Sequence, residues 1–317
     1  MSGTILATGP VPAFAEPLLE RFGRLVVAPA DDEETLAALA GEAVAFVVRG
    51  GSVISERLIG AAPDLRVIAR SGVGYDDVDV EAATRRGIPV VLTPDAGAPA
   101  VAEGALALML GLVKRLTELG DSVRAGRWDD RDRIEIGDLA GASLGIVGAG
   151  RIGRRVAELA TAFGMEVRGH DPYAGECPFQ LVGLEELVAG SDFVSIHAPL
   201  TDETRGMIDA ALLAGARPGL ILVNLSRGGL VRSLDDLLGA LESGRLGGVG
   251  LDVFEPEPPP GDHPLFHHPR VMVTPHSLGL SRNARRRIFE QVAEGIEAVF
   301  EGRRPAAVAN PSVYAGS

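Results

Sequence analysis

Leu144-Gly145-Ile146-Val147-Gly148-Ala149-Gly150-Arg151-Ile152-Gly153 is the stretch whose reading decides the fold. A short apolar strand runs into three glycines. They are spaced for a tight turn, for close approach of backbone N–H groups to a pyrophosphate, and for a helix packed closely on its strand. The helix start then faces the turn with unpaired donors and a partial positive charge. Val156, Leu159, Ala160 and Phe163 recur at helical spacing and give that helix one buried face. A second strand, Glu166 to Gly169, ends in His170-Asp171, eighteen residues past Gly153, where an acid would meet an adenosine ribose. Among 41 glycines the triplet alone is a weak signal. Strand, helix, second strand and acid in register make it a dinucleotide-binding unit.

Before this unit the chain already alternates strand and helix. Thr4 to Ala7, Arg24 to Ala28, Val44 to Val48, Leu65 to Ala69 and Val90 to Leu92 read as strands. Helices are expected at Ala13 to Phe22, at Asp31 to Ala40 with Asp31 as cap, at Ser55 to Ala61 and at Val78 to Arg86. Such alternation implies a parallel sheet covered on both faces, with ligands at the carboxyl ends of its strands. Arg49-Gly50-Gly51 and Ser71-Gly72-Val73-Gly74 occupy that position, and the second loop can offer N–H groups to a carboxylate. Pro99 or Ala100 opens a long helix of small and apolar residues toward Arg124, expected between domains or at a subunit contact. Beyond Asp171, strands are expected at Asp192 to His197, Leu220 to Leu225, Gly248 to Val253 and Val271 to Thr274. Helices are expected at Leu184 to Val188, Ala210 to Ala216, Leu234 to Ser243 and Asn283 to Phe300.

A chain of 317 residues is long enough for two domains. The formal charge of -13 argues against nucleic-acid and anionic-membrane partners, which need a basic face. An anionic ligand therefore needs a local basic residue to hold it. The start, Met1-Ser2-Gly3-Thr4-Ile5, has no basic segment leading into an apolar signal core, and a cytoplasmic protein is expected. Cys177 is the sole cysteine, which excludes an internal disulfide and a cysteine-cluster metal site. Lys114, the sole lysine, sits in an apolar helical run unsuited to Schiff-base chemistry.

Three residues with useful chemistry stand just beyond strand ends of the second half. Arg227 follows Val223-Asn224-Leu225-Ser226, Glu257 follows Leu251-Asp252-Val253-Phe254, and His276 follows Val273-Thr274-Pro275. A parallel sheet gathers them at the edge that holds the glycine turn. An arginine clamps a carboxylate through two parallel hydrogen bonds. A histidine exchanges protons near neutral pH, and a neighbouring carboxylate fixes its tautomer and favours its charged form. Beside a nicotinamide, the three make a carbonyl reductase for 2-oxo acids. His197, inside Ser195-Ile196-His197-Ala198-Pro199, reads as structural or cofactor-lining. His263, His267 and His268 cluster in a Pro-rich loop without acidic or cysteine ligands at metal spacing, so no metal is expected.

Over nearly its full length the chain resembles the D-isomer-specific 2-hydroxyacid dehydrogenases. The matching motifs are Ser71-Gly72-Val73-Gly74 with Asp79, Val101-Ala102-Glu103, Gly148 to Gly153 with Asp171-Pro172-Tyr173, and His197-Ala198-Pro199-Leu200 with Thr204. They continue with Asn224 to Val231, Leu251-Asp252-Val253-Phe254 with Glu257-Pro258, and Thr274-Pro275-His276. The resemblance implies an α/β protein of two doubly wound parallel-sheet domains. One is a Rossmann NAD-binding domain over residues 98–282; the other is a flavodoxin-like substrate domain formed by 1–97 and 283–317. It implies NAD as cofactor, held by Gly148, Gly150, Arg151, Ile152, Gly153, Asp171, Pro199, Thr204, Leu225 and Asp252. Arg151 and Ile152 would meet the pyrophosphate, Asp171 the adenosine ribose and Asp252 the nicotinamide end. The substrate is expected to be a small carboxylate held by Arg49, Val73, Gly74 and Arg227. Arg227 would also polarise its carbonyl, with His276 as acid/base paired to Glu257. Glyoxylate, hydroxypyruvate and 3-phosphohydroxypyruvate lead as substrates, and a homodimer is expected.

Three stretches depart from the family pattern. Gly97-Ala98-Pro99-Ala100 stands where relatives often carry Asn before Val-Ala-Glu, Arg232-Ser233 replaces a common acidic pair, and Ser277 to Ser281 replaces a Gly-rich version. These touch specificity more than chemistry. The rival expectation is a dinucleotide-sensing binding protein, such as the transcriptional corepressors that resemble this family. The lack of long disordered extensions favours the enzyme.

Overall fold

A computed structural model describes residues 3–315, so Met1 and Ser2, read above for a leader, lie outside it. The chain divides into two compact units, Met1–Gly97 with Leu280–Ser317, and Ala98–Gly279. The return to the first unit thus falls at Leu280, three residues before the expected 283.

The first unit begins β1 (Thr4–Ala7), α1 (Glu16–Glu20), β2 (Arg24–Val27), α2 (Glu33–Leu39), β3 (Ala43–Val48), α3 (Glu56–Gly60), β4 (Val67–Arg70), α4 (Val80–Arg85) and β5 (Val90–Val91). The strands pair in parallel in the order β2-β1-β3-β4-β5, the flavodoxin-like winding. Strands such as Ala-Val-Ala-Phe-Val-Val in β3 show no polar alternation because helices cover both faces. Asp32, Ser55 and Asp79 cap α2, α3 and α4 by accepting the N–H groups of Thr35, Leu58 and Ala82. The cap of α2 is therefore Asp32 and not the expected Asp31; with two adjacent aspartates, only tertiary packing, here the burial of Leu36, fixes which one starts the helix.

The second unit runs α5 (Ala98–Val113), α6 (Leu116–Arg124), β6 (Ser143–Val147), α7 (Arg151–Ala162), β7 (Glu166–His170), β8 (Gln180–Leu181), α8 (Leu184–Gly190), β9 (Phe193–Ile196), α9 (Ala210–Ala214), β10 (Leu220–Asn224), α10 (Leu234–Glu242), β11 (Leu246–Leu251) and β12 (Val271–Val273). All seven strands are parallel, ordered β12-β11-β10-β9-β6-β7-β8. The order reverses between β6 and β9, and that switch point is where a Rossmann sheet binds its ligand. α5 and α7 cover one face, α8, α9 and α10 the other.

The long helix expected up to Arg124 is two helices. Arg115 between them takes a left-handed φ of +53°, and its Nε donates to Glu118 at 2.8 Å. Buried residues of α5 pack in the second unit's own core, beside Leu144, Ile146 and Val223. Its glycines are needed for that: a Cβ on Gly104 would lie 2.8 Å from Leu278 Cβ, and one on Gly111 2.7 Å from Met272 Sδ.

The chain then re-enters the first unit as α11 (Arg282–Phe300), capped by Ser281. Ile288, Phe289, Val292 and Ile296 bury against the sheet face shared with Ile5, Ala7, Val67 and Ala69. The tail seals the edge of β5. Asn310, nearly buried, accepts from Val90 N at 2.8 Å and donates to Ile88 O at 2.9 Å. Among the described residues no helix is long and apolar enough to cross a membrane.

Candidate active site

The three glycines of the decisive stretch have three separate physical tasks. Gly148 has φ +94°, and a Cβ there would lie 2.6 Å from Ala198 N, so conformation and the neighbouring loop both exclude a side chain. A Cβ on Gly153 would fall 2.0 Å from Gly148 O, because α7 starts directly against the end of its strand. Gly150, the N-cap of α7, has nothing within 4 Å of its Cβ position and supplies no side-chain cap. The space at the Gly150 Cβ position, in front of the first turn of α7, is thus open, and a helix start of this kind fits a pyrophosphate. Asp171, just past β7, borders the same loop. Its Oδ2 accepts from Ala149 N at 2.9 Å and its Oδ1 from Tyr173 N at 3.0 Å. Arg154, not singled out in the sequence, braces the loop through Nε to Ala149 O at 2.8 Å and Nη2 to Glu176 O at 2.7 Å.

Arg227, Glu257 and His276 follow β10, β11 and β12, at the edge of the sheet that holds the glycine turn. His276 Nδ1 lies 2.8 Å from Glu257 Oε2, which leaves Nε2 for proton exchange. Glu257 Oε1 accepts from Phe254 N at 2.9 Å. Partial burial pushes the Glu257 carboxyl up, but the His276 hydrogen bond, the Phe254 N–H and the charges of His276 and Arg227 outweigh it. The group ends below the usual carboxylate range. Arg227 is placed by the wholly buried Asn224, which donates to Arg227 O at 2.8 Å and accepts from Ser226 N at 3.0 Å. His276 has a left-handed φ of +49°. Asp252, nearly buried, holds that turn: Oδ1 accepts from Thr274 Oγ1 at 2.6 Å and Ser277 N at 2.8 Å, and Oδ2 from Leu278 N at 3.1 Å.

Residues 106–277, more than half of the chain, match the model of the D-isomer specific 2-hydroxyacid dehydrogenase, NAD binding domain. The chain belongs to the D-isomer-specific 2-hydroxyacid dehydrogenase family. It is 41% identical over 268 residues to a glyoxylate reductase of Korarchaeum cryptofilum, covering 82% of this chain and 80% of that one. To a D-3-phosphoglycerate dehydrogenase of Mycobacterium leprae it is 41% identical over 276 residues, 86% of this chain and 52% of the relative. The chain thus spans about half the length of that phosphoglycerate dehydrogenase. Among solved structures, the TT0316 protein of Thermus thermophilus superposes with a TM-score of 0.90 at 37% identity, over 96% of this chain and 99% of that one. NAD is the family's cofactor, and the glycine loop with Asp171 fits it.

In this family member the other expected contacts differ in what they have left to offer. Thr204 Oγ1 donates to Pro199 O at 2.7 Å and accepts from Thr201 N at 2.8 Å, so its hydroxyl closes the Pro199 to Thr204 turn. The Leu225 side chain belongs to the core against Gly104, which leaves its backbone for a ligand. Asp252 is first a support for the His276 turn, a task that nothing in its local sequence announces. Burial pushes the His197 imidazole down to about 3, and its Nε2 lies 2.8 Å from Ser195 Oγ, so the ring stays neutral. His263 and His268 accept from Leu265 N and Arg270 N through Nδ1 and act as local caps. In the first unit, Arg49 follows β3 and the Ser71 to Gly74 loop follows β4, at adjacent strand ends. Ser71 is tied back to Val48 O through both N and Oγ, and Gly72 O accepts from Thr93 N. The N–H groups of Val73 and Gly74 make no backbone hydrogen bond among the described residues.

Proposed function

We propose that the protein is an NAD-dependent reductase of a small 2-oxo acid, forming the D-2-hydroxy acid. The observation that carries this reading is the 2.8 Å His276–Glu257 pair on the sheet edge that holds the glycine turn. NADH, when bound, supplies the hydride. Arg227 holds the substrate carboxylate in its planar fork and polarises the carbonyl. His276, oriented through Nδ1 by Glu257, gives a proton from Nε2 to the carbonyl oxygen. Gly148, Gly150 and Gly153 leave room for the pyrophosphate beside Arg151 and Ile152, and Asp171 receives ribose hydroxyls. Pro199, Thr204, Leu225 and Asp252 line the rest of the cofactor. A lone cysteine suits a reducing cytoplasm. A homodimer is supported by α6, whose apolar Leu116 and Val123, seven residues apart on one face, are both exposed.

The test is oxidation of NADH and NADPH against glyoxylate, hydroxypyruvate and 3-phosphohydroxypyruvate, with simple ketones as controls. Turnover of 2-oxo acids with NADH preferred is the expected result. Ketones reduced equally fast would remove the Arg227 clamp, and equal use of NADPH would remove Asp171 from ribose recognition. NADH binding without any turnover would leave the dinucleotide-sensing protein as the better reading.

A further inference from the structure

A cleft of about 330 Å³ opens at the amino ends of β4 and β5, wholly within the first unit. Arg66 stands just before β4, Ile88 just before β5, and the end of α11 and the tail close the other side with Val299, Arg303 and Tyr314. Arg66, Arg86 and Arg303 line the cleft and no aspartate or glutamate does, although the whole chain carries a formal charge of -13. Two of these arginines are fixed by the backbone around them. Arg66 lies over the Phe300 ring, with Cζ 4.3 Å from the centroid, and its Nη2 donates to Phe300 O at 3.3 Å. Arg86 reaches the end of α3 and the turn after it, giving Nη1 to Ile59 O and Nη2 to Ala62 O at 3.0 Å and to Pro63 O at 3.1 Å. Carbonyl oxygens take up protons of a guanidinium fork and leave its net charge in place. Neither Arg66 nor Arg86 pairs with a carboxylate among the described residues. Arg303 does, through Nε to Glu301 Oε2 at 2.8 Å. Cations already held in position lose little freedom when an anion joins them, and the field of three guanidinium groups favours that anion. Ile88, Val299 and the Tyr314 ring add apolar surface beside the charges, the mixture that small-molecule clefts of this size present.

We propose that this cleft is a small-molecule site of the first unit that takes an organic anion. The phosphate or carboxylate group of the ligand meets Arg66, Arg86 and Arg303, and its apolar body lies against Ile88, Val299 and Tyr314. Within the unit the site lies at the opposite end of β4 from the Ser71 to Gly74 loop, a strand of four residues or about 13 Å away. It uses residues of the first unit alone and does not depend on the reductase reading.

The test is calorimetric titration of the NADH-saturated protein with phenyl phosphate and phenylacetate, which carry both features, and with benzyl alcohol, which carries only the ring. NADH fills the glycine turn, so the heat of the anions does not come from there. The tighter-binding anion tells phosphate from carboxylate, and it should bind at least tenfold more tightly than benzyl alcohol. Its affinity should fall about tenfold in Arg66→Gln and in Arg303→Gln, since each removes a charge-assisted hydrogen bond. It should stay as it was in Arg24→Gln, which removes one positive charge beside Glu42, outside the cleft. If Arg66→Gln fails to fold for want of its support to Phe300, Arg303→Gln decides, because Arg303 bonds through its side chain only to Glu301 among the described residues. No binding of either anion overturns the proposal, as does benzyl alcohol binding equally tightly. A folded Arg66→Gln or Arg303→Gln that binds as the wild type does, or an equal loss in Arg24→Gln, overturns it too.

Discussion

His276 holds a backbone conformation that costs a residue with a Cβ about 1–3 kcal/mol. Such a cost is tolerated only where the surroundings impose it, and here one carboxylate does so. Asp252 draws in two N–H groups and one hydroxyl from the turn, which aims the imidazole at Glu257. His276→Ala should lower turnover by about 10² to 10⁴ while NADH binding, read by fluorescence titration, stays as it was. Glu257 adds a pH signature. Its carboxyl lies below the usual range, so it remains charged as the pH falls through about 4.3, and the acid limb of wild-type reduction should lie below that value. Glu257→Gln removes the negative partner of the imidazolium, and the pH above which reduction fails should move down. A pH profile that keeps its alkaline limb in Glu257→Gln would count against the pair.

The strand-turn-helix at β6 and α7 allows the glycines to be tested one by one. In Gly153→Ala the new methyl meets the backbone oxygen of Gly148, which no rotamer change can relieve. The variant should lose about 1–3 kcal/mol of stability, seen as a lower Tm, and weaken NADH binding as α7 lifts. Gly150→Ala should melt like the wild type and still bind NADH poorly, because its methyl enters only the open space in front of the helix. Equal melting of the two variants would refute the division of tasks. Elements like these were legible in the sequence because β6 is an apolar run that meets Gly148, α7 repeats its apolar residues at helical spacing up to Gly164, and β7 runs straight into Asp171. The break at Arg115 was not legible. It depends on Glu118 and on Lys114 reaching Asp138, contacts that leave the apolar period of α5 and α6 intact. β8 has only two residues, Gln180 and Leu181, too few to show any period. At the site, Arg227, Glu257 and His276 could be found from strand ends; the supporting tasks of Asp252, Asn224 and Arg154 depend on loops brought together by folding.

For the whole molecule, the parallel sheet of the first unit followed from alternation of strand and helix and the winding of both sheets from the family resemblance, whereas self-association has no such periodic mark. What the structure adds is the exposure of Val123 at 60% and Trp128 at 63%, on α6 and the turn after it. If this face meets a second copy, Val123→Glu should shift the light-scattering mass from two chains to one. An unchanged mass would place the contact elsewhere. The path of the chain also sets an order of events. The first unit is begun before the second but receives α11 only after the entire second unit has been made. Until Phe289, Val292 and Ile296 leave the ribosome, the sheet face around Ile5, Ala7, Val67 and Ala69 has no α11 to cover it. At 5–20 residues per second that wait is on the order of ten to forty seconds. The second unit is contiguous in the chain and needs nothing made later, so of the two units the one completed later during synthesis is the one that was started first.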